Sequence, residues 1–330
     1  MLLFFARLMA WLPLSWLQAA GRLIGLAAYH YPSRYQRRLR RHTRWAGYGD
    51  PAFVRRAAAE TGAMMAEIPK VWWRTEECLA RVVSDQEAIV QAALAEGRGV
   101  LYLTPHLGCF EITARHLTRY GPITVMFRPA RQAILQPLVE SSRDMHNLHA
   151  VPANRQGVRE FVRALRRGEA VGMLPDQVPG EGEGIWLPFF GEYALTMTLA
   201  ARLALQTKVA VILTAGERLP RGRGWRIHYL RLPEPLPDTV GATAIAINQA
   251  METLIRRFPE QYLWGYNRYK QPDEAPPHPD EMQAPGMPPE DRVLPPAQME
   301  PRPAPVTDAR PAPAAPACAA PQARPTHHEH

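Results

Sequence analysis

Between residues 100 and 232 the chain alternates short apolar runs with longer stretches of helical spacing. VLYLT (100–104), ITVMF (123–127), AVGMLP (170–175) and VAVILTAGE (209–217) are apolar runs, the first directly after the turn signal EGRG. Runs of this length and composition read as buried strands. WRIHYLRL (225–232) alternates apolar with polar residues and reads as a further strand with arginines on one face. Helical spacing covers about 51–96, 109–120, 132–148, 155–167, 195–206 and 240–257, with Asp85 and Gly97 as a start and a stop inside the first of these. Strands that alternate with helices predict an α/β fold, with a three-layer, mostly parallel central sheet flanked by helices. In such sheets functional groups gather at the carboxyl ends of the strands.

The two ends of the chain do not share this pattern. Seventeen of the 34 prolines follow Lys270, in a segment rich in Pro and Ala with almost no apolar periodicity. Such a stretch buries too little surface to offset its ordering entropy, so 271–330 is expected to be disordered and to carry no chemistry. Residues 1–32 begin MLLFFARLMAWLPLSWLQAAGRLIGLAAYHY, with Arg7 and Arg22 as the only formal charges before Tyr31. The run is long enough to cross a bilayer but is interrupted by Arg7, Pro13 and Arg22, so spanning and interfacial anchoring are both open. A basic block, SRYQRRLRRHTR (33–44), follows it. Basic residues beside an apolar helix mark the cytoplasmic side and attract anionic head groups. The expected organisation is an anchor at 1–32, a catalytic domain at 33–270 and a tail at 271–330, held at the cytoplasmic face of an inner membrane.

Charge and cysteine content narrow the chemistry further. The net charge is +8 and the only lysines are Lys70, Lys208 and Lys270, so arginine supplies nearly all of the positive charge. Arginine suits anionic partners without by itself separating nucleic acid, anionic lipid and an acidic carrier protein. Cys78, Cys109 and Cys318 form no CxxC or Cys/His spacing, which supports neither a disulfide framework nor a zinc site.

Three blocks follow strands and hold the residues best suited to catalysis. TPHLGCFE (104–111) places His106 in a strand-to-helix turn and Glu111 inside the next helix. Pro105 and Gly108 bend the chain between them, so Glu111 is expected to hold one imidazole nitrogen and leave the other free to accept a proton. The alternative is a core histidine beside a capping glutamate. VMFRP (125–129) puts Arg128 at a strand end, where it can hold a phosphate or polarise a carbonyl. LPDQVPGEGEGIWLPFFG (174–191) offers Asp176 and Gln177 after a strand, with Trp186, Phe189 and Phe190 as an apolar wall for an acyl chain. A fourth block, FPEQYLWGYNRYK (258–270), reads mainly as a core-closing segment.

The order of these blocks resembles the bacterial lipid A biosynthesis acyltransferases, of the wider lysophospholipid acyltransferase superfamily. The resemblance covers about residues 1–270 and rests on the apolar start, HLGCFE, FRP, PDQ…GEGIWLPFFG and PEQYLWGYNRYK. It implies that His106 and Glu111 form the superfamily's catalytic pair, and that Arg128 and Asp176 contact substrate. It further implies an acyl carrier protein thioester as donor, a phosphate-bearing lipid A precursor as acceptor, no metal or cofactor, and no nucleic-acid partner. Gly265–Tyr266–Asn267 stands where the family tends to have a Trp/His pair, which leaves the acceptor open: a lysophospholipid or aminolipid acceptor is the nearest rival. A thioesterase using His106 and a non-catalytic membrane-surface binder built on Arg34–Arg44 are the other readings. The serine version of a hydrolase lacks a G-x-S-x-G elbow.

Overall fold

The computed structural model describes residues 2–127, 145–180 and 182–279. Four helices open the chain: α1 (Leu2–Met9), α2 (Leu14–His30), α3 (Arg34–Trp45) and α4 (Pro51–Trp73). Pro13 separates the first two. Helix α5 (Thr75–Leu79), strand β1 (Val82–Val83) and helix α6 (Glu87–Ala95) lead to β2 (Val100–Leu103). Then come α7 (Phe110–Leu117), β3 (Ile123–Phe127), β4 (Leu148–Pro152), α8 (Arg155–Arg166) and β5 (Ala170–Met173). The chain continues through β6 (Gly184–Phe189), β7 (Glu192–Met197), α9 (Leu199–Thr207), β8 (Ala210–Arg218), β9 (Trp225–Arg231) and α10 (Val240–Ile255).

Among the described residues seven strands form one sheet in the order β1-β9-β8-β2-β5-β3-β4, in which only the β8–β9 pair is antiparallel. The apolar runs are near-continuous because helices cover both faces. Leu101, Leu103, Val171, Leu213 and Met173 pack with Phe161 of α8, Ala201 of α9 and Met251 of α10. On the opposite face Val100, Tyr102, Ala170 and Ile212 pack with Val90 of α6 and with Ile112 and Leu117 of α7. The mixed α/β architecture with a mostly parallel sheet is as the sequence predicts.

Several boundaries differ from the sequence reading. The helical stretch expected at 51–96 is broken by a short parallel strand at 82–83. The helix expected at 132–148 falls largely outside the described residues, and its last residue already begins strand β4. LHAVP carries no strand alternation and ends in proline, which an edge strand tolerates because it pairs on one side only. The segment 174–191, expected as a loop, contains β6, which pairs antiparallel with β7 through a two-residue turn at Phe190 (φ 51°) and Gly191 (φ 84°). Hairpin turns with two positive φ angles usually carry Asn-Gly, and phenylalanine in the first position hides this one. The helix expected at 195–206 starts only at Leu199 because β7 runs to Met197.

No helix among the described residues is long and apolar enough to cross a membrane. Helix α2 instead lies along α4 with glycines at the contact: a Cβ on Gly21 would stand 2.5 Å from the carbonyl oxygen of Gly62. The buried Lys70 ammonium donates to the carbonyls of Ala10 and Leu12 at 3.1 Å each and so ties down the turn between α1 and α2. The other side of the pair is bare: Phe4, Phe5, Leu8, Trp11, Trp16, Leu23 and Ile24 are all exposed. Residues 271–279 of the expected tail lie against the body, where the Trp186 indole donates to the Pro276 carbonyl at 2.8 Å and its ring meets His278 edge-on. Residues 280–330, with His327, His328 and His330, are outside the described residues.

Candidate active site

Strands β2 and β5 are parallel neighbours in register, Leu103 beside Met173. The ladder runs one bond further, from the Thr104 amide to the Met173 carbonyl at 3.0 Å. Their continuations, Pro105–His106 and Leu174–Gln177, therefore leave the same edge of the sheet side by side. This places His106 against Asp176, 70 residues later.

The Asp176 carboxylate accepts from both ends of His106: from the backbone N–H at 2.9 Å and at the imidazole Nδ1 at 2.8 Å. Burial alone would raise the pKa of Asp176, but the His106 side chain, these hydrogen bonds and the nearby Arg268 guanidinium outweigh it and hold the carboxyl below its ordinary value. An ionised Asp176 only accepts, so Nδ1 carries its proton and Nε2 holds a lone pair. The Gln177 side-chain nitrogen lies 3.1 Å from Nε2 and donates to that lone pair. The Phe110 ring sits 4.8 Å from the imidazole.

The turn is fixed from below by the segment 258–270. The His106 carbonyl accepts from Leu263 N–H at 3.0 Å, and the Gly108 N–H donates to the Gln261 carbonyl at 3.0 Å. Tyr266 offers its hydroxyl oxygen to the Val178 amide at 3.0 Å, just after Gln177. The buried Arg268 donates to the Leu195 carbonyl at 2.6 Å. The aromatic segment thus has the structural role its composition suggests.

Glu111 does not hold the histidine. Its Oε2 accepts from the Trp72 indole at 2.8 Å and from Arg115 at 2.9 Å, one helical turn further along α7. The expected His106–Glu111 bond is replaced by His106–Asp176 because β5 ends beside β2, a long-range neighbour that spacing within the block TPHLGCFE does not show. Glu111 still faces the reaction space. His106, Phe110, Glu111, Gln177, Trp72 and Arg159 are among the residues lining a cleft of about 810 Å³. Asp176 is buried behind His106 and reaches the cleft only through it.

The aromatic wall expected from Trp186, Phe189 and Phe190 is also corrected. Phe189 is in the core beside Tyr262 and Tyr269, and Phe190 packs on Trp264 with Glu252 accepting from its amide at 2.7 Å. Trp186 holds the start of the tail. Both phenylalanines turn inward because their hairpin packs on α10. Arg128 lies outside the described residues. Trp72, Phe110, Met126 and Phe127, which line the cleft, were not singled out from sequence, although all but Trp72 stand inside the blocks TPHLGCFE and VMFRP. No cluster of His, Cys, Asp and Glu suited to a metal ion occurs among the described residues.

The profile of the family described as bacterial lipid A biosynthesis acyltransferase matches residues 1–271. The chain is 27% identical over 222 residues to the lipid A biosynthesis lauroyltransferase of Escherichia coli (strain K12), which is 66% of this chain and 71% of the relative. It is 28% identical over 182 residues to the lipid A biosynthesis palmitoleoyltransferase of the same organism, 55% of this chain and 59% of that protein. A lipid A biosynthesis acyltransferase of Haemophilus influenzae is 27% identical over 179 residues, 53% of this chain and 55% of the relative. The chain thus spans little more than half the length of the last two. With the profile covering the whole sheet and the His106 turn, this chain belongs to the bacterial lipid A biosynthesis acyltransferases and is an acyl-transfer enzyme.

Proposed function

We propose that the protein moves a fatty acyl chain from an acyl carrier protein thioester to a hydroxyl of a lipid A precursor, at the cytoplasmic face of the inner membrane. The observation that carries this reading is the His106 imidazole. Its Nδ1–H is fixed on a buried, ionised carboxylate and its Nε2 lone pair faces a cleft large enough for a lipid. That is the arrangement of a general base.

In the proposed reaction the acceptor hydroxyl displaces the Gln177 amide from Nε2. Nε2 takes the hydroxyl proton as the oxygen attacks the thioester carbonyl. The new C–O bond forms, the C–S bond breaks, and the departing sulfur takes the proton back from the imidazolium. Asp176 stabilises the imidazolium while it lasts. Gln177, once displaced, offers its N–H groups to the developing oxyanion. Glu111, bound to Trp72 and Arg115, shapes the cleft wall. Purified enzyme, an acyl carrier protein thioester and a lipid A precursor, with the product weighed by mass spectrometry, test the reading. Transfer that is absent in wild type, or that persists unchanged in His106→Ala, would show it to be wrong.

The membrane placement is supported by the bare aromatic and aliphatic side of α1 and α2 and by the arginines of α3. Among the described residues Arg34, Arg37, Arg38, Arg41 and Arg44 form no ion pair. Aromatic side chains suit the head-group level, and each nearby arginine adds about 1 kcal/mol of attraction to an anionic surface. Replacing Phe5, Trp11, Trp16 and Ile24 by serine should leave only the salt-sensitive part of this attachment. Firm sedimentation of that variant with anionic vesicles at high salt would place the attachment elsewhere.

A further inference from the structure

The face of the sheet beneath α7 contains a gap. Gly172 is the third residue of β5, paired in register with Tyr102 on one side and Val125 on the other. Its neighbours fill their share of that face and Gly172 does not. A glycine in a buried strand weakens it and often marks close approach of a ligand. Gly172 is not among the residues of positive φ, so its backbone accepts any side chain and conformation does not call for glycine here. Space does. A Cβ at this position would point at Ile123 Cδ1 and Val125 Cγ1, each at 3.3 Å.

Above Gly172 lies a mostly apolar cavity of about 160 Å³. Tyr102, Ile123 and Leu148 border it on the sheet side, and Thr113, Ala114 and Leu117 of α7 on the other. It shares Trp72, Phe110, Met126 and Met173, among others, with the catalytic cleft, so the two spaces adjoin where Phe110 stands beside the imidazole. The phenylalanines expected to line an acyl site are in the core, and this cavity is an apolar space that opens from the cleft holding His106.

We propose that this cavity receives the methyl end of the transferred acyl chain, and that Gly172 and Leu117 set how many methylenes fit. The proposal rests on the acyl-transfer reading and adds the residues that choose the donor. Each methylene that enters apolar surroundings contributes about 0.8 kcal/mol, or roughly fourfold in binding. A chain too long by one or two carbons must leave them in the cleft or push the walls apart, and loses about tenfold or more in kcat/KM.

The test uses full-length enzyme in phospholipid–detergent micelles with a homologous series of saturated acyl carrier protein thioesters. In Gly172→Ala the preferred chain should shorten, with the longest chain used by wild type losing about tenfold. In Leu117→Ala, which widens the cavity from the helix side, the preferred chain should lengthen. If Gly172→Ala fails to fold, the Leu117→Ala profile decides alone. Wild-type transfer with unchanged chain preference in the folded variants overturns the cavity assignment and leaves acyl transfer standing. Absence of transfer by wild type with every thioester overturns both.

Discussion

Two buried carboxylates in this molecule each hold a nitrogen base, and they do so differently. Glu67, on α4, meets Arg218 at the end of β8. The guanidinium donates to Glu67 at 2.9 and 2.6 Å and to Glu60 at 2.7 Å, while Gln18 of α2 donates to Glu67 at 2.9 Å. Both Arg218 and Glu67 have no exposed side-chain surface. Asp176 is as deeply buried, but its partner turns its second nitrogen to a cleft. Gln261 stands between them, bonded through its side chain to Arg218 and through its carbonyl to the His106 turn. A closed ionic cluster of this kind fixes a packing arrangement, because breaking it strands a charge in the interior. An open one keeps a lone pair for a substrate.

The comparison can be broken most directly at the open pair. His106→Ala should lower kcat/KM by about 10²–10⁴-fold in protein that still folds. Asp176→Asn should come next, because the amide neither fixes the tautomer nor supports the imidazolium, and Glu111→Gln should cost less than either. Steady-state kinetics on the three variants check the order. Equal losses in Glu111→Gln and Asp176→Asn would mean that Glu111 does the orienting after all.

The closed cluster should answer the opposite way. Arg218→Ala should destabilise the fold by about 3–5 kcal/mol, since it leaves Glu67 buried and unpaired. Chemical denaturation measures this, and specific activity per folded molecule should fall far less than in His106→Ala.

A third arrangement sharpens the contrast: buried histidines whose shift is set by burial and not by a bonded carboxylate. Burial depresses the pKa of His42 to about 4, although its ring donates to the Trp264 carbonyl at 2.9 Å, and burial likewise depresses His116 to about 4. In the unfolded chain both titrate near 6.5. The unfolded state therefore binds more protons between these values, and stability falls as pH drops from about 6.5 towards 4. Each group should contribute a loss on the order of 3 kcal/mol over that interval. Urea midpoints across the interval test it: a flat profile contradicts the burial argument, and His42→Asn should reduce the slope. The smallest effect belongs to the surface. Arg98 and Glu234 pair at 2.9 Å with about a third of each side chain exposed, and Glu234→Gln should change stability by about 1 kcal/mol or less.

The sequence carried the parallel sheet plainly because VLYLT and VAVILTAGE are buried almost throughout and, like ITVMF, are apolar runs with little besides threonine to interrupt them. It carried the placement of His106 in a strand-to-helix turn because the turn after β2 is local. It did not carry the partner of that histidine. Asp176 was visible as a polar residue after a strand, but its pairing depends on β5 lying beside β2, which no short-range pattern encodes. Phe189 and Phe190 misled for a related reason. In a Gly- and Pro-rich stretch they look like a ligand wall, whereas the hairpin turn at Phe190–Gly191 folds them into the core. Gly172 was silent: a glycine in AVGMLP says nothing until the neighbouring strands and α7 define the space it leaves.

The glycine contact between α2 and α4 bears on how the protein is to be handled at the bench. The first thirty or so residues were expected to be an anchor, and their apolar composition invites cutting them off before purification. Here that cut would uncover Gly62, take the carbonyls of Ala10 and Leu12 away from the Lys70 ammonium, and strip Gln18 from Glu67. A shortened chain would be a damaged protein, and loss of activity in it would say nothing about lipid contact. Recoding the outward residues while keeping the helix itself is the route to a more tractable enzyme.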